Sequence, residues 1–239
     1  SCGYCLLNNV ALCASTAQAG GVARVLVVDW DVHHGQGTQR QFYSDPGVLY
    51  ISIHRYERGA WWPNLQESDF TSVGSGPGLG YNCNIPLNTT DNTDADYLAA
   101  WHRVVLPLAA EFDPELVLVS AGYDPALGCP EGEQRVSPAT FAHMTHSLRA
   151  LGAPLVALLE GGYFLPSLAE GAALTLRQLL GAPCPLLPPL GACCGEMESS
   201  IQGAQRALSP YWGCFRHMAA VEVPDSVWCG PEVPETAPY

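Results

Sequence analysis

The chain of 239 residues is 48% hydrophobic, with a mean hydropathy of +0.08 and a formal net charge of −13. That is enough apolar material for one sizeable core, and the sequence contains no run with the length of a membrane span or the form of a signal peptide. The ten basic residues are all arginine, which argues against nucleic-acid binding through phosphate neutralisation and leaves a field that attracts cationic ligands.

Residues 8–19 are Ala-rich and end in Gly20-Gly21, a helix with a glycine stop. The β-branched run that follows predicts a buried parallel strand over 25–31, and a second strand is predicted over 48–53. Residues 57–81 are rich in Gly, Trp and Ser without periodicity and read as a long functional loop. Apolar residues at helical spacing predict a helix over 96–112. A third strand follows over 116–120, then a helix begun by Ser137-Pro138 and reaching about Leu151. A fourth strand over 155–159 and a helix over 165–180 complete the regular part. Beyond Cys184 prolines and glycines accumulate, with one helical stretch over 201–207, and 219–239 read as a linker or disordered tail. Strands alternating with helices define an α/β fold, a parallel sheet flanked by helices. The first residue is Ser1 rather than Met, so the true N-terminus is expected upstream.

Asp29, Asp31 and His33 close the first predicted strand, where alternation turns all three to one face. Strand carboxyl ends are where open α/β sheets bind ligands, and crowded buried carboxylates call for a cation. A divalent metal is the simplest one. Asp-x-His supplies two ligands and Asp124, at the end of the third strand, a third, leaving a position open for water and substrate. Tyr163, after Gly161-Gly162 at the end of the fourth strand, can donate its phenolic hydrogen to a polarised carbonyl oxygen. His34 has the opposite parity to His33 and is expected to face away and pack. The ten cysteines offer one C-x2-C, Cys2 and Cys5, with no partner pair at finger spacing, so they are read as free thiols in a reducing compartment.

Five segments together carry a resemblance: Gly3-Tyr4-Cys5-Leu6-Leu7-Asn8-Asn9, the Asp29–Gly37 motif, Ser52-Ile53-His54-Arg55-Tyr56, Ser120-Ala121-Gly122-Tyr123-Asp124 and Glu160-Gly161-Gly162-Tyr163. In this order they resemble the zinc-dependent histone deacetylases, over residues 1–218. Gln36 and the phrase from Asp94 to Trp101 look like the class IIb branch. The resemblance implies an arginase/deacetylase-type fold. It also implies that Asp31, His33 and Asp124 bind zinc and that Tyr163 polarises the acetyl carbonyl. Asp29 and Ser52, with backbone oxygens of Asp31, His33 and Ile53, would hold a structural potassium ion. Tyr4 and Trp61 would wall an acyl tunnel, with Trp62 and Gly162 also against the substrate.

Glu131, in Gly128-Cys129-Pro130-Glu131-Gly132, stands where the branch's polyamine-deacetylating member has its gatekeeper. A carboxylate at a tunnel mouth attracts a second amine and penalises the neutral backbone of an acetyl-lysine peptide. The first-choice substrate is therefore an N-acetylated polyamine such as N8-acetylspermidine, and an acetyl-lysine protein is the second. The family also implies other deacetylases or corepressors as partners, and a cytoplasmic and nuclear location. The family's paired histidines, which supply its general base, fall upstream of Gly3, and the first strands and helices of the fold with them. A weakly active fragment, or a form that acts only by binding, follows as an expectation. Cys129 stands where relatives carry Asp, so the loop presenting Glu131 is expected to sit differently.

Overall fold

The structure, a computed structural model, describes residues 3–218 and 229–231. The β-branched run forms β1 (Val25–Asp29), buried along its whole length. It pairs in parallel with β2 (Val48–Arg55) on one side and β4 (Leu116–Ala121) on the other. β3 (Asn82–Leu87) lies outside β2 and β5 (Leu155–Leu159) outside β4. The order among the described residues is β3-β2-β1-β4-β5, all parallel. Every strand therefore ends on one rim.

Helix α1 (Asn9–Ala19) starts where the Asn8 side chain accepts the Ala11 N–H, and packs Val10 and Ala14 against Val25, Val27 and Leu118. The opposite sheet face carries the larger core, with Trp30, Trp101, Phe141 and Ile201 all buried. It is covered by α5 (Pro138–Arg149), α6 (Leu165–Leu179) and α7 (Gly195–Leu208), together with the segment around Trp101.

Several expectations need correcting. The sheet has a fifth strand, β3, which the sequence pattern did not announce, and a short helix α2 (Gln36–Phe42) has Gly35 at its N-cap and includes Gly37. β1 ends at Asp29, so Asp31 and His33 project from the turn beyond it rather than from strand alternation. The helix expected over 96–112 is α3 (Asp94–Ala100), a π-helical turn (Trp101–Val105) and α4 (Leu106–Phe112). Ser137 occupies the N-cap position of α5, but its hydroxyl makes no capping bond; instead its N–H donates to Asp94 Oδ1 at 2.6 Å. The 57–81 loop contains three short 3₁₀ turns, and α7 is twice the length expected of it. Most of the tail over 219–239 lies outside the described residues.

Candidate metal centre

Asp31, His33 and Asp124 come together on the rim, with one donor atom from each within 4.8 Å of the other two. His33 Nδ1 lies 3.0 Å from Asp31 Oδ1 and 3.1 Å from Asp124 Oδ2. The remaining lone pairs are taken by backbone donors: Val32 N–H to Asp124 Oδ1 at 2.8 Å, His33 N–H to Asp31 Oδ1 at 2.9 Å and Gly161 N–H to Asp31 Oδ2 at 3.0 Å. Such outer contacts fix the direction in which metal ligands point.

Gly161 and Gly122 matter because the carboxylates press directly on them. A Cβ on Gly161 would collide with Asp124 Oδ2 and Asp31 Oδ2, and one on Gly122 with the Asp31 side chain. In the sequence Gly161 stood out only as a residue before Tyr163, and Gly122 only as a residue before Asp124. The signal that would have found their role is that each lies at a strand end beside a residue of the set.

The electrostatics describe a site in want of a cation. Burial opposes charge on His33, yet its bonds to Asp124 and Asp31 override this and push its pKa up to about 10. Burial, and then the charge of Asp31, raises the Asp124 carboxyl well above its ordinary range, even against the favourable pull of His33. Two carboxylates and an imidazole nitrogen are the donor types of a catalytic zinc site, so the residues present fit that ion.

Asp29 sits just behind, 4% exposed, and Tyr50 donates its hydroxyl to Asp29 Oδ2 at 2.9 Å. Burial, then the charge of Asp31, pushes Asp29 well above the usual carboxylate range. Ser52 is level with Asp29 in the adjoining strand, and its hydroxyl lies 2.8 Å from His54 Nδ1. The Ile53 side chain is buried in the core. His34 faces away from the cluster, with its ring nitrogens 2.9 Å from Gln39 Oε1 and 2.7 Å from Ser68 Oγ. Burial and the neighbouring His54 hold it neutral.

Aromatic rings surround the cluster. Trp61 stacks on His33 with centroids 4.8 Å apart, and Trp62 meets His33 edge-on at 5.5 Å. Tyr4, on the exposed N-terminal segment, makes an edge contact with Tyr163 at 6.3 Å. Tyr163 follows Gly162, whose φ of 131° is open only to glycine without strain. Burial raises the Tyr163 pKa, and the charges of Asp124, Asp31 and Glu131 act the same way. Its hydroxyl is therefore a proton donor at neutral pH. The Tyr163 N–H reaches buried Cys129 Sγ at 3.4 Å, so the loop carrying Glu131 rests on the loop carrying Tyr163. Glu131 itself is exposed and has no ion pair among the described residues. Arg55 was not singled out by its sequence position, yet its guanidinium lies over Trp61, 4.8 Å from the ring centroid.

The described cysteines are all free thiols. Of the other described histidines, His54 is buried with His34, His143 bonds the Pro185 carbonyl, and His102, His146 and His217 are exposed on helical segments. None joins the cluster. No helix among the described residues is long and apolar enough to cross a membrane.

A parallel α/β sheet with an Asp-His-Asp set and a tyrosine on one rim defines a class of α/β protein with a candidate metal site at the carboxyl ends of its strands. The histone deacetylase domain matches residues 1–179, and the chain belongs to that family. It is 51% identical over 222 residues to the polyamine deacetylase HDAC10 of Danio rerio, covering 92% of this chain and 33% of the relative. Against the polyamine deacetylase HDAC10 of Homo sapiens it is 52% identical over 227 residues, covering 94% and 34%. The solved structure of the histone deacetylase Clr3 superposes with a TM-score of 0.84 at 43% identity, over 88% of this chain and 36% of that one. The fold is accordingly of the arginase/deacetylase type. The chain spans about a third of the length of the curated relatives it matches.

Proposed function

We propose that this chain carries the metal-and-tyrosine face of a deacetylase centre that hydrolyses the acetamide of small N-acetylated polyamines, with N8-acetylspermidine as the representative substrate. The observation that carries this reading is the convergence of Asp31, His33 and Asp124 beside Tyr163. Asp31, His33 and Asp124 would hold zinc, which when bound supplies a Lewis acid and lowers the pKa of water toward neutrality. Tyr163, kept protonated, donates to the acetamide oxygen as negative charge develops there. Trp61 and Trp62, packed on His33, and Tyr4, against Tyr163, wall the acyl group from water, and the backbone of Gly162 lies along it. Glu131 is free to pair with the distal ammonium of a polyamine. Its likeness in position to the gatekeeper, and the identity to two proteins named polyamine deacetylases, support that substrate over acetyl-lysine. Asp29 and Ser52, with the carbonyls of Asp31, His33 and Ile53, would hold potassium. The buried Asp29 carboxylate beside Asp31 supports a cation there.

Among the described residues no second imidazole joins the cluster. The zinc-loaded chain should hydrolyse N8-acetylspermidine faster than an acetyl-lysine peptide, and Tyr163→Phe should lower kcat about a hundredfold. Turnover that ignores Tyr163→Phe, or a clear preference for the peptide, would overturn the proposal.

A further inference from the structure

Arg55 is the last residue of β2, and its side chain is only 8% exposed. A guanidinium at that depth must be paired, because an unpaired buried charge is costly. Its partners come from two separate loops. From the loop after β2, Glu57 accepts the Nε–H, and Trp61 presents its ring 4.8 Å from the guanidinium carbon. From the loop after β4, the Gly132 carbonyl accepts from Nη1 at 3.3 Å, and Glu133 pairs with the same nitrogen at 3.2 Å. Each loop also touches the metal set. Trp61 stacks on His33, and Gly132 lies so close to the Asp124 carbonyl that a Cβ would clash with it. Arg55 thus joins the wall above one ligand to the segment resting on another. Gly132 and Glu133 directly follow Glu131.

We propose that Arg55 is a positioning residue for the mouth of the site. Its planar fork holds Trp61 and the 132–133 segment in register, and so sets where Glu131 stands relative to the Asp31, His33 and Asp124 cluster. Because Glu57 and Glu133 satisfy its charge, Arg55 orders the mouth without neutralising Glu131. A lysine cannot take its place, since an ammonium is a point charge without the fork that stacks on the indole and reaches both loops. The consequence for substrate choice rests on the polyamine reading above; the clamp itself does not.

The experiment labels the tryptophans of the full chain with 5-fluorotryptophan and assigns the Trp61 fluorine resonance through Trp61→Phe. In Arg55→Lys and Arg55→Met the Trp61 resonance should shift and broaden, while those of Trp101 and Trp212, in the core, stay in place. Titration of N8-acetylspermidine, followed at Trp62, should show affinity weakened by about five- to thirtyfold, the range of a partly desolvated cation–π contact. An acetyl-lysine peptide, which Glu131 disfavours, should not weaken and should bind as well or somewhat more tightly. An unmoved Trp61 resonance would overturn the proposal. So would equal weakening of both ligands with Trp101 and Trp212 shifting too, since Arg55 would then only support the fold. If the unsubstituted chain binds neither ligand, the polyamine reading fails, and the Trp61 resonance alone still decides whether Arg55 is the clamp.

Discussion

At the scale of single residues, two kinds of contact decide what the site can do. Asp31 and Asp124 are held by backbone donors and by glycines that leave them room. Gly161→Ala should therefore weaken metal binding by about ten- to a hundredfold, the usual cost of disturbing the shell behind metal ligands. Competition with a chromophoric chelator measures it, and an unchanged affinity would mean that the loop moves aside freely. Glu131 is exposed on the surface, and in the proposed reading it should touch only selectivity. Glu131→Leu should lower kcat/KM on N8-acetylspermidine by about one to two decades, corresponding to a charge-assisted bond of about 1.5–3 kcal/mol, and raise it on acetyl-lysine peptides. An unchanged ratio of the two would make Glu131 an ordinary surface carboxylate. The Asp31, His33 and Asp124 cluster was readable from the sequence because its members follow closely on apolar runs that end on one rim, although Asp31 and His33 lie in the turn beyond β1. Arg55 was not readable: its partners Gly132 and Glu133 lie in another loop, 77 residues from it in the case of Gly132, and spacing along the chain says nothing of such a meeting.

At the scale of elements, the runs that bury both faces were easy to see, and those that mix polar and apolar residues were not. β3 reads Asn-Cys-Asn-Ile-Pro-Leu; Cys83, Ile85 and Leu87 enter the core, while the Asn82 and Asn84 amides both donate to Gln39 Oε1. The proline is tolerated because β3 is an edge strand among the described residues. α2 is short and polar and is fixed by tertiary contacts, such as the Asn8 amide donating to Thr38 Oγ1 at 2.8 Å. The N-terminus of α3 is tied from two sides. Asp96 Oδ2 accepts the Thr93 N–H at 2.8 Å, and Asp96 Oδ1 accepts the Cys194 N–H at 2.7 Å, which ties α3 to the start of α7. Burial works against the charge, but these donors hold the Asp96 carboxyl below its ordinary value of 3.8. The stabilisation is therefore present above that ordinary value and is lost as the pH falls through the lower native one. Asp96→Asn should cost about 1–2 kcal/mol at pH 7, the worth of a good cap. The gap in Tm between the variant and the unsubstituted chain should close as the pH is lowered past 3.8. A gap independent of pH would assign the loss to packing instead.

At the scale of the whole molecule, the edge of the sheet at β5 is apolar and exposed among the described residues. Among the described residues β5 is the outer strand beyond β4, with Val156 42% and Leu159 65% exposed, and α6 beside it, with its C-cap Leu180, exposes Leu165, Leu176 and Leu180. An open, uncharged edge strand flanked by leucines is a template for association. The net charge of −13 opposes this by mutual repulsion, which salt screens. Sedimentation should show self-association that grows with concentration and with salt, and Leu159→Lys should suppress it. A chain that stays monomeric at high salt would show that the edge is covered. The account as a whole rests on Asp31, His33 and Asp124 forming one metal site in a chain with ten cysteines that could compete for the same ion. Zinc K-edge X-ray absorption on the loaded chain separates the two possibilities directly. The spectrum should show nitrogen and oxygen scatterers at about 2.0–2.2 Å and bind no ion in His33→Ala, whereas sulfur at about 2.3 Å, or a spectrum unchanged in His33→Ala, would contradict it.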